Sequence, residues 1–287
     1  MRAFMSSMAF AAAWLFWILA QPSLARTVPV PVEVARPGLQ QVAVPAPRTR
    51  PAAKSDREIF FSWGYNGDHY ATSDLHIEQP SLGNDFTLLR VKARDSKPWG
   101  NILGHSLFVP QYNVRAGVFF NERWGLELAL DHMKWIVKQD QSVGITGALP
   151  RRSAEGPVTL TSDFLRYQLN NGANPVFINV IRRVWLSDEP KRTGSVSIMT
   201  KAGGGLAMPH TENTLFGEPN EKGFQFFHGW NIDAGAAVRV NVFKRVYVEV
   251  EDKAVYVRYF GVKVDRGTAR HSVKANEFVV NVGVAFR

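Results

Sequence analysis

Residues 277–286 alternate between two faces. Phe278, Val280, Val282, Val284 and Phe286 fall on one parity, and Glu277, Val279, Asn281, Gly283 and Ala285 on the other. A period of two with one apolar face and one small or polar face is the signature of a β-strand. The pattern recurs upstream. After Pro110, Tyr112, Val114, Ala116, Val118 and Phe120 oppose Gln111, Asn113, Arg115 and Gly117. Trp124, Leu126, Leu128 and Leu130 oppose Gly125, Glu127, Ala129 and Asp131. Trp230 to Val242 opposes Asn231, Asp233, Gly235, Ala237, Arg239 and Asn241, and Val246, Val248 and Val250 oppose Tyr247, Glu249 and Glu251.

Short polar breaks separate some of these runs: Asn121 to Arg123, Ser187 to Gly194, and Phe243 to Arg245. Long polar stretches separate others, at about 95 to 108, 139 to 170, 208 to 224 and 263 to 273. Short turns alternating with long loops are the pattern of an antiparallel transmembrane β-barrel, short on the periplasmic side and long outside. Counting back from the C-terminus gives spans at 275–286, 246–261, 226–243, 195–207, 174–186, 124–137 and 110–120. Three further segments precede them: Ile59 to Asn66, Thr72 to Gln79 and Phe86 to Ala93. An even strand number requires one or three of these to cross. The all-β barrel therefore has eight strands or ten, and Pro80 to Asn84, which reads as a turn, inclines the count to ten.

The polar face mixes charges of both signs with Gly and Ala, which suits a narrow lumen better than a water-facing surface. The expected lumen network is Arg115, Glu127, Asp131, Lys201, Asp233, Arg239, Glu249 and Glu251, with Lys253. Charges withdrawn from water need partners, so interleaved acids and bases read as an ion-paired plug, with a gated channel as the alternative use of the same residues. Aromatic residues gather toward strand ends: Phe120, Trp124, Trp185, Phe243, Tyr247 and Phe286 at one end, and Trp135, Phe226, Trp230, Tyr259 and Phe260 at the other. Two such girdles mark the two membrane interfaces.

Residues 1–25 read as a secretory signal. Arg2 supplies a basic start, Met8 to Ala20 an apolar core, and Ser23-Leu24-Ala25 small residues for cleavage. Residues 26–57 hold six prolines and a basic excess, which favours an extended periplasmic tail able to meet a periplasmic partner. The barrel is expected over 58–287. The 287 residues contain no Cys, so there is no disulfide, thiolate metal site or lipoprotein anchor. The net charge of +9 points, in an exported chain, to lipopolysaccharide phosphates and other anionic envelope polymers rather than to nucleic acid.

The signal, the alternating strands, the short inner turns and the near-terminal aromatic resemble the small outer-membrane β-barrel proteins of Gram-negative bacteria, in the broad outer-membrane protein A and W class. The resemblance covers about residues 58 to 287. It implies an integral outer-membrane location, insertion by the barrel assembly machinery, and function through loops or lumen. Arg287 departs from the pattern, since the family ends on the aromatic itself.

The expected function is a structural, adhesive or ligand-binding surface protein. The alternatives are a narrow small-solute channel and a lipid A or phospholipid acyl hydrolase. A hydrolase needs a base beside a nucleophile or metal at the outer rim. The candidates are Asp74 with His76, Asp131 with His132, and His210 with Thr211 and His228, none within a family motif. No cofactor or metal is called for. The stretch Thr159 to Leu169 reads either as a strand extension or as a short helix capped at Ser162.

Overall fold

The computed structural model describes residues 57–96, 111–150 and 156–287. The proposed signal and nearly all of the proline-rich tail lie outside the described residues. The strands are β1 (Glu58–Tyr70), β2 (Ser73–Gln79), β3 (Asn84–Val91), β4 (Ala93–Arg94), β5 (Tyr112–Phe119), β6 (Trp124–Asp131), β7 (Trp135–Val137), β8 (Ser142–Ala148) and β9 (Pro157–Thr159). They continue with β10 (Leu165–Leu169), β11 (Pro175–Trp185), β12 (Val196–Ala207), β13 (Thr211–Leu215), β14 (Glu218–Lys222), β15 (Gly229–Asn241), β16 (Val246–Val264) and β17 (Gly267–Phe286).

Eight strands close into an antiparallel barrel in the order β1-β5-β6-β11-β12-β15-β16-β17, with β17 pairing back onto β1. Paired positions can be followed once around it. Val282 leads to Trp63, Val114, Leu130, Val176, Leu206, Trp230 and Arg258, and back to β17 at Ser272. The return lands ten residues up the same strand, which is the stagger that tilts the strands of a closed barrel.

Of the two strand counts the sequence allowed, the barrel has eight, against the inclination to ten. Ser73–Gln79 and Asn84–Val91 do not cross. β2 pairs onto the far end of β17, and β3, β8 and β9 continue the same sheet. A second sheet, β14-β13-β10-β7-β4, faces it. Together they form an outer body with its own core, including Leu75, Leu88, Trp135, Leu165, Tyr167, Val257 and Val273. The regions 139–170, 208–224 and 263–273, read from the sequence as loops, thus contain strands; 95–108 lies largely outside the described residues. Thr159 to Leu169 takes the strand reading: a turn at Thr161, whose hydroxyl accepts the Phe164 N–H at 3.3 Å, leads into β10.

The faces invert along single strands. On β17, Phe278, Val282 and Phe286 are exposed, while Glu277 and Asn281 are buried inside the barrel. Above Glu277 the inward face becomes apolar, with Ala275, Val273 and Ala269 buried, and the outward face polar, with Asn276, Lys274, Ser272 and Arg270. The same change occurs on β16 between Lys253 and Val255. An apolar exterior over a polar interior suits lipid; the reverse suits water. The strands therefore run from one solvent into the other.

This inversion corrects the aromatic assignment. Phe120, Trp124, Phe243 and Phe286 are exposed at the short-turn end, and Phe226, Trp230 and Phe260 at the other. Trp135 and Tyr259 are buried in the outer-body core, and Tyr247 is buried in the lumen.

Candidate functional site

The lumen holds ionic groups in tiers. In the middle tier Lys201 on β12 donates to Glu249 at 2.7 Å, Glu251 at 3.0 Å and Glu127 at 3.1 Å. Glu249 also accepts from Arg239 Nε at 2.7 Å. In the outer tier Lys253 pairs with Asp131, with Asp233 at 3.1 Å and with Glu277 at 3.4 Å, while Arg115 pairs with Asp131 and lies 3.9 Å from Glu127. The nearest tier to the short turns centres on Glu58, which accepts from Arg183 and from Arg287, each at 2.7 Å. The structure brings together all nine charged residues that strand parity directed inward. It adds Glu58, Arg183, Glu277 and Arg287. The first three share the inward parity of β1, β11 and β17, so the same rule reaches them.

Apolar layers bracket the charges. Toward the short turns, Phe60, Phe119, Ile181, Met199, Ala237, Tyr247 and Ala285 form one inward-facing cluster. Guanidinium groups are stacked into it, Arg183 3.7 Å from the Phe119 centroid and Arg239 3.8 Å from that of Tyr247. Aromatic faces attract such cations, most strongly where water is excluded. Toward the outer body, Ala129, Phe177, Val255 and Ala275 join the large core, and the Lys253 ammonium sits 4.3 Å over the Phe177 ring. Close packing of β12 on β11 uses Gly203 and Gly205, where a Cβ would collide with the Ile178 and Val176 carbonyls. The run Gly203-Gly204-Gly205 is a packing device within β12.

One side of the lumen is built differently. Gly64 pairs with Asn281 on one neighbour and Asn113 on the other. The buried amides of Asn66, Asn113 and Asn281 make no hydrogen bond to protein.

The histidine candidates are dispersed. His76 Nδ1 lies 3.0 Å from Thr87 Oγ1, and its Nε2 lies 3.3 Å from Asp85 and 2.9 Å from Arg270 Nη2. Both ring nitrogens are thus engaged by neighbours, Nδ1 by Thr87 and Nε2 by Asp85 and Arg270. Asp74 instead accepts the Arg90 N–H at 2.8 Å. His210 pairs with Glu221 at 2.9 Å, and His228 with the Phe260 carbonyl at 3.2 Å. Thr211 donates to the Lys263 carbonyl at 3.0 Å, and His132 faces the Asn174 amide at 2.8 Å. Among the described residues no cluster of three or more potential ligands could hold a metal ion.

The outer body offers a cleft of about 300 Å³ at its distal tip, where the β2–β3, β13–β14 and β16–β17 turns meet. Leu82, Leu149, Phe164 and Phe216 form its apolar wall, and Gln79, Asn84, Glu218 and Arg266 its polar rim. Deeper in the same body His271 stacks on Trp135 at 4.5 Å and hydrogen-bonds Tyr167 at 3.1 Å. Burial pushes the His271 pKa down to about 3, with the Arg258 charge adding to it. Burial also raises the Asp95 carboxyl, outside the barrel, to about 6.

A closed, staggered, antiparallel barrel with a greasy exterior and a salt-bridged interior is decisive for the class. The fold is that of an outer-membrane-type β-barrel. No protein-family model and no curated protein sequence matches the chain. Solved structures do. Ail, the attachment invasion locus protein of Yersinia pestis, matches at 15% identity over 80% of this chain and 99% of that one, with a TM-score of 0.34. The N-terminal β-barrel domain of Pseudomonas aeruginosa OprF matches at 11% over 81% and 98%, TM-score 0.33. OprG from the same organism matches at 8% over 82% and 97%, TM-score 0.35. At these values the three are outer-membrane barrels beside which this one can be set, and nothing about activity passes from them.

Proposed function

We propose that the chain spans the outer membrane as a sealed anchor and that its working part is the rigid outer body, presented at the cell surface to bind a ligand or another surface. The single observation that carries this is the lumen, where tiers of paired charges lie between two apolar layers. Moving an ion through them would require breaking desolvated pairs. The outer body is joined to this anchor by the continuous strands β16 and β17 and packs around a core of its own. Binding loops held on a rigid scaffold keep their geometry, and the distal cleft is of a size that takes small ligands. A narrow channel is the second reading, supported by the unpaired amides of Asn66, Asn113 and Asn281 along one wall. The hydrolase reading has less support, because the histidines singled out in the sequence lie apart, His76, His132, His210 and His228 each bonded to a different neighbour. Lipopolysaccharide is the proposed surrounding of the cationic exterior, the barrel assembly machinery the proposed inserter, and a periplasmic component the proposed partner of the tail.

The test uses the absence of native cysteine. Glu218→Cys at the cleft and Asp188→Cys in the β11–β12 turn are each produced in intact Gram-negative cells and exposed to a membrane-impermeant maleimide. Labelling of Glu218→Cys alone is expected. Labelling of Asp188→Cys with protection of Glu218→Cys would reverse the orientation and sink the surface-presentation reading.

A further inference from the structure

The apolar exterior of the barrel does not end at one level. The pairing path climbs ten residues over eight strands, a little over one residue per step. Trp230 is two steps short of Ser272, so it stands level with about Lys274 on β17. There β17 is already polar outside, and its last exposed apolar residue is Phe278. On the β12–β15 side the apolar surface continues, through Leu206 and Trp230 to the β14–β15 connection. Phe224, Phe226 and Phe227 there are 59%, 63% and 70% exposed.

These rings are held out, not left loose. Gln225 between them is buried. Its amide donates to Thr211 Oγ1 at 3.1 Å, its carbonyl oxygen accepts the Lys263 N–H at 2.7 Å, and its backbone N–H donates to the Pro209 carbonyl at 3.0 Å. Phe227 sits at φ 61°, a left-handed conformation that a bulky side chain seldom adopts. A pinned, strained connection that displays three phenylalanines to water has no folding rationale; displayed to lipid it has one. Two basic residues stand nearby: the backbone N–H of Lys263, whose side chain is exposed, bonds Gln225, and Arg258 is the register partner of Trp230, with its guanidinium bonded to Ser272 at 3.1 Å.

We propose that the β14–β15 connection is a lipid-inserting wedge. Phe226 and Phe227 enter the acyl–headgroup boundary of the outer leaflet, with the exposed Lys263 beside them for lipid phosphates, so that the outer body leans on the membrane along this one side. The arrangement matches the way aromatic and basic residues share a membrane interface. The proposal rests on the membrane-spanning reading above, and the experiment separates the two.

Nitroxide labels are placed singly, as Phe227→Cys, Val282→Cys and Arg270→Cys, in the full chain reconstituted in phosphatidylcholine–phosphatidylglycerol vesicles. Electron paramagnetic resonance then measures accessibility to oxygen and to an aqueous nickel chelate. Position 282 is expected deep in lipid, position 270 in water, and position 227 shielded from nickel at a shallow depth. Nickel access at 227 equal to that at 270, with 282 protected, would overturn the wedge alone. Nickel access at all three would overturn the membrane reading itself. Shielding at 227 that disappears on dilution of protein in lipid would assign the surface to a second copy of the chain and also overturn the wedge.

Discussion

The final residue of the chain is bonded to the first strand: Arg287 Nε donates to Glu58 Oε2 at 2.7 Å. Arg287 also reaches the Lys191 and Lys244 carbonyls of two short turns. The residue that departs from the expected aromatic terminus thus ties the seam where β17 meets β1. Glu58 is fully buried and Arg287 is one-fifth exposed, so the two ends of the bond are unequal. Removing Glu58 strands the buried Arg183, whereas removing Arg287 leaves Glu58 with Arg183. Glu58→Ala is expected to cost about 3–5 kcal/mol, the scale for an uncompensated buried charge. Arg287→Ala is expected to cost about 1.5–3 kcal/mol, the scale for a charge-assisted hydrogen bond. Urea unfolding in lipid vesicles checks the order. Equal losses would mean that Arg183 does not depend on Glu58.

Lys201 is the single cation shared by three glutamates. Replacing it by Met leaves three buried carboxylates facing one another, with Arg115 and Arg239 as the remaining cations near them. Lys201→Met is expected to destabilise by about 3–5 kcal/mol, and Glu127→Gln by less, because Lys201 keeps Glu249 and Glu251. The same unfolding assay decides, and a neutral Lys201→Met would show that the network contributes little.

Acid should loosen the outer body before the barrel. His271 is neutral in its aromatic pocket down to about pH 3, while in the unfolded chain it takes a proton near its ordinary value of about 6.5. Its contribution is fully present above about pH 6.5 and declines as the pH falls toward 3. Asp95 works in the opposite sense. Its raised pKa of about 6 gives stability that is present below the ordinary carboxylate range of about 3.9 and lost as the pH rises through 6. Hydrogen exchange of β10 and β17 amides between pH 7 and 4 is expected to show outer-body protection falling in wild type. The fall should be reduced in His271→Asn. An unchanged slope in the variant would remove His271 as its cause.

His76→Ala and His210→Ala are expected to leave lipids untouched because the wild type does so too. Lipopolysaccharide and phospholipid incubated with the refolded chain should show unchanged masses. Loss of an acyl chain, abolished by either substitution, would reinstate the hydrolase.

The barrel was legible in the sequence because lipid and lumen impose a strict period of two. That parity led from Arg115, Glu127 and Lys201 to one network. The outer body was harder to read, because its strands obey the same period with the faces exchanged. Leu75 and Ile77 point inward while Asp74, His76 and Glu78 point out, which no lipid-facing strand tolerates. A search for the point of inversion on β16 and β17 would have removed β2 and β3 from the barrel count. The same inversion moves Tyr259 on β16 from girdle to core. The distal cleft depends on three turns brought together from distant parts of the chain, and nothing local announces it.

The most direct test of the sealed lumen is electrical. The refolded chain is inserted into planar lipid bilayers beside Lys201→Glu and Arg239→Glu, which reverse charges in the middle tier. Wild type is expected to hold the bilayer at its background conductance. A steady, unit-sized wild-type conductance that shifts with either charge reversal would contradict the account and make the wall of Asn66, Asn113 and Asn281 the path of a channel.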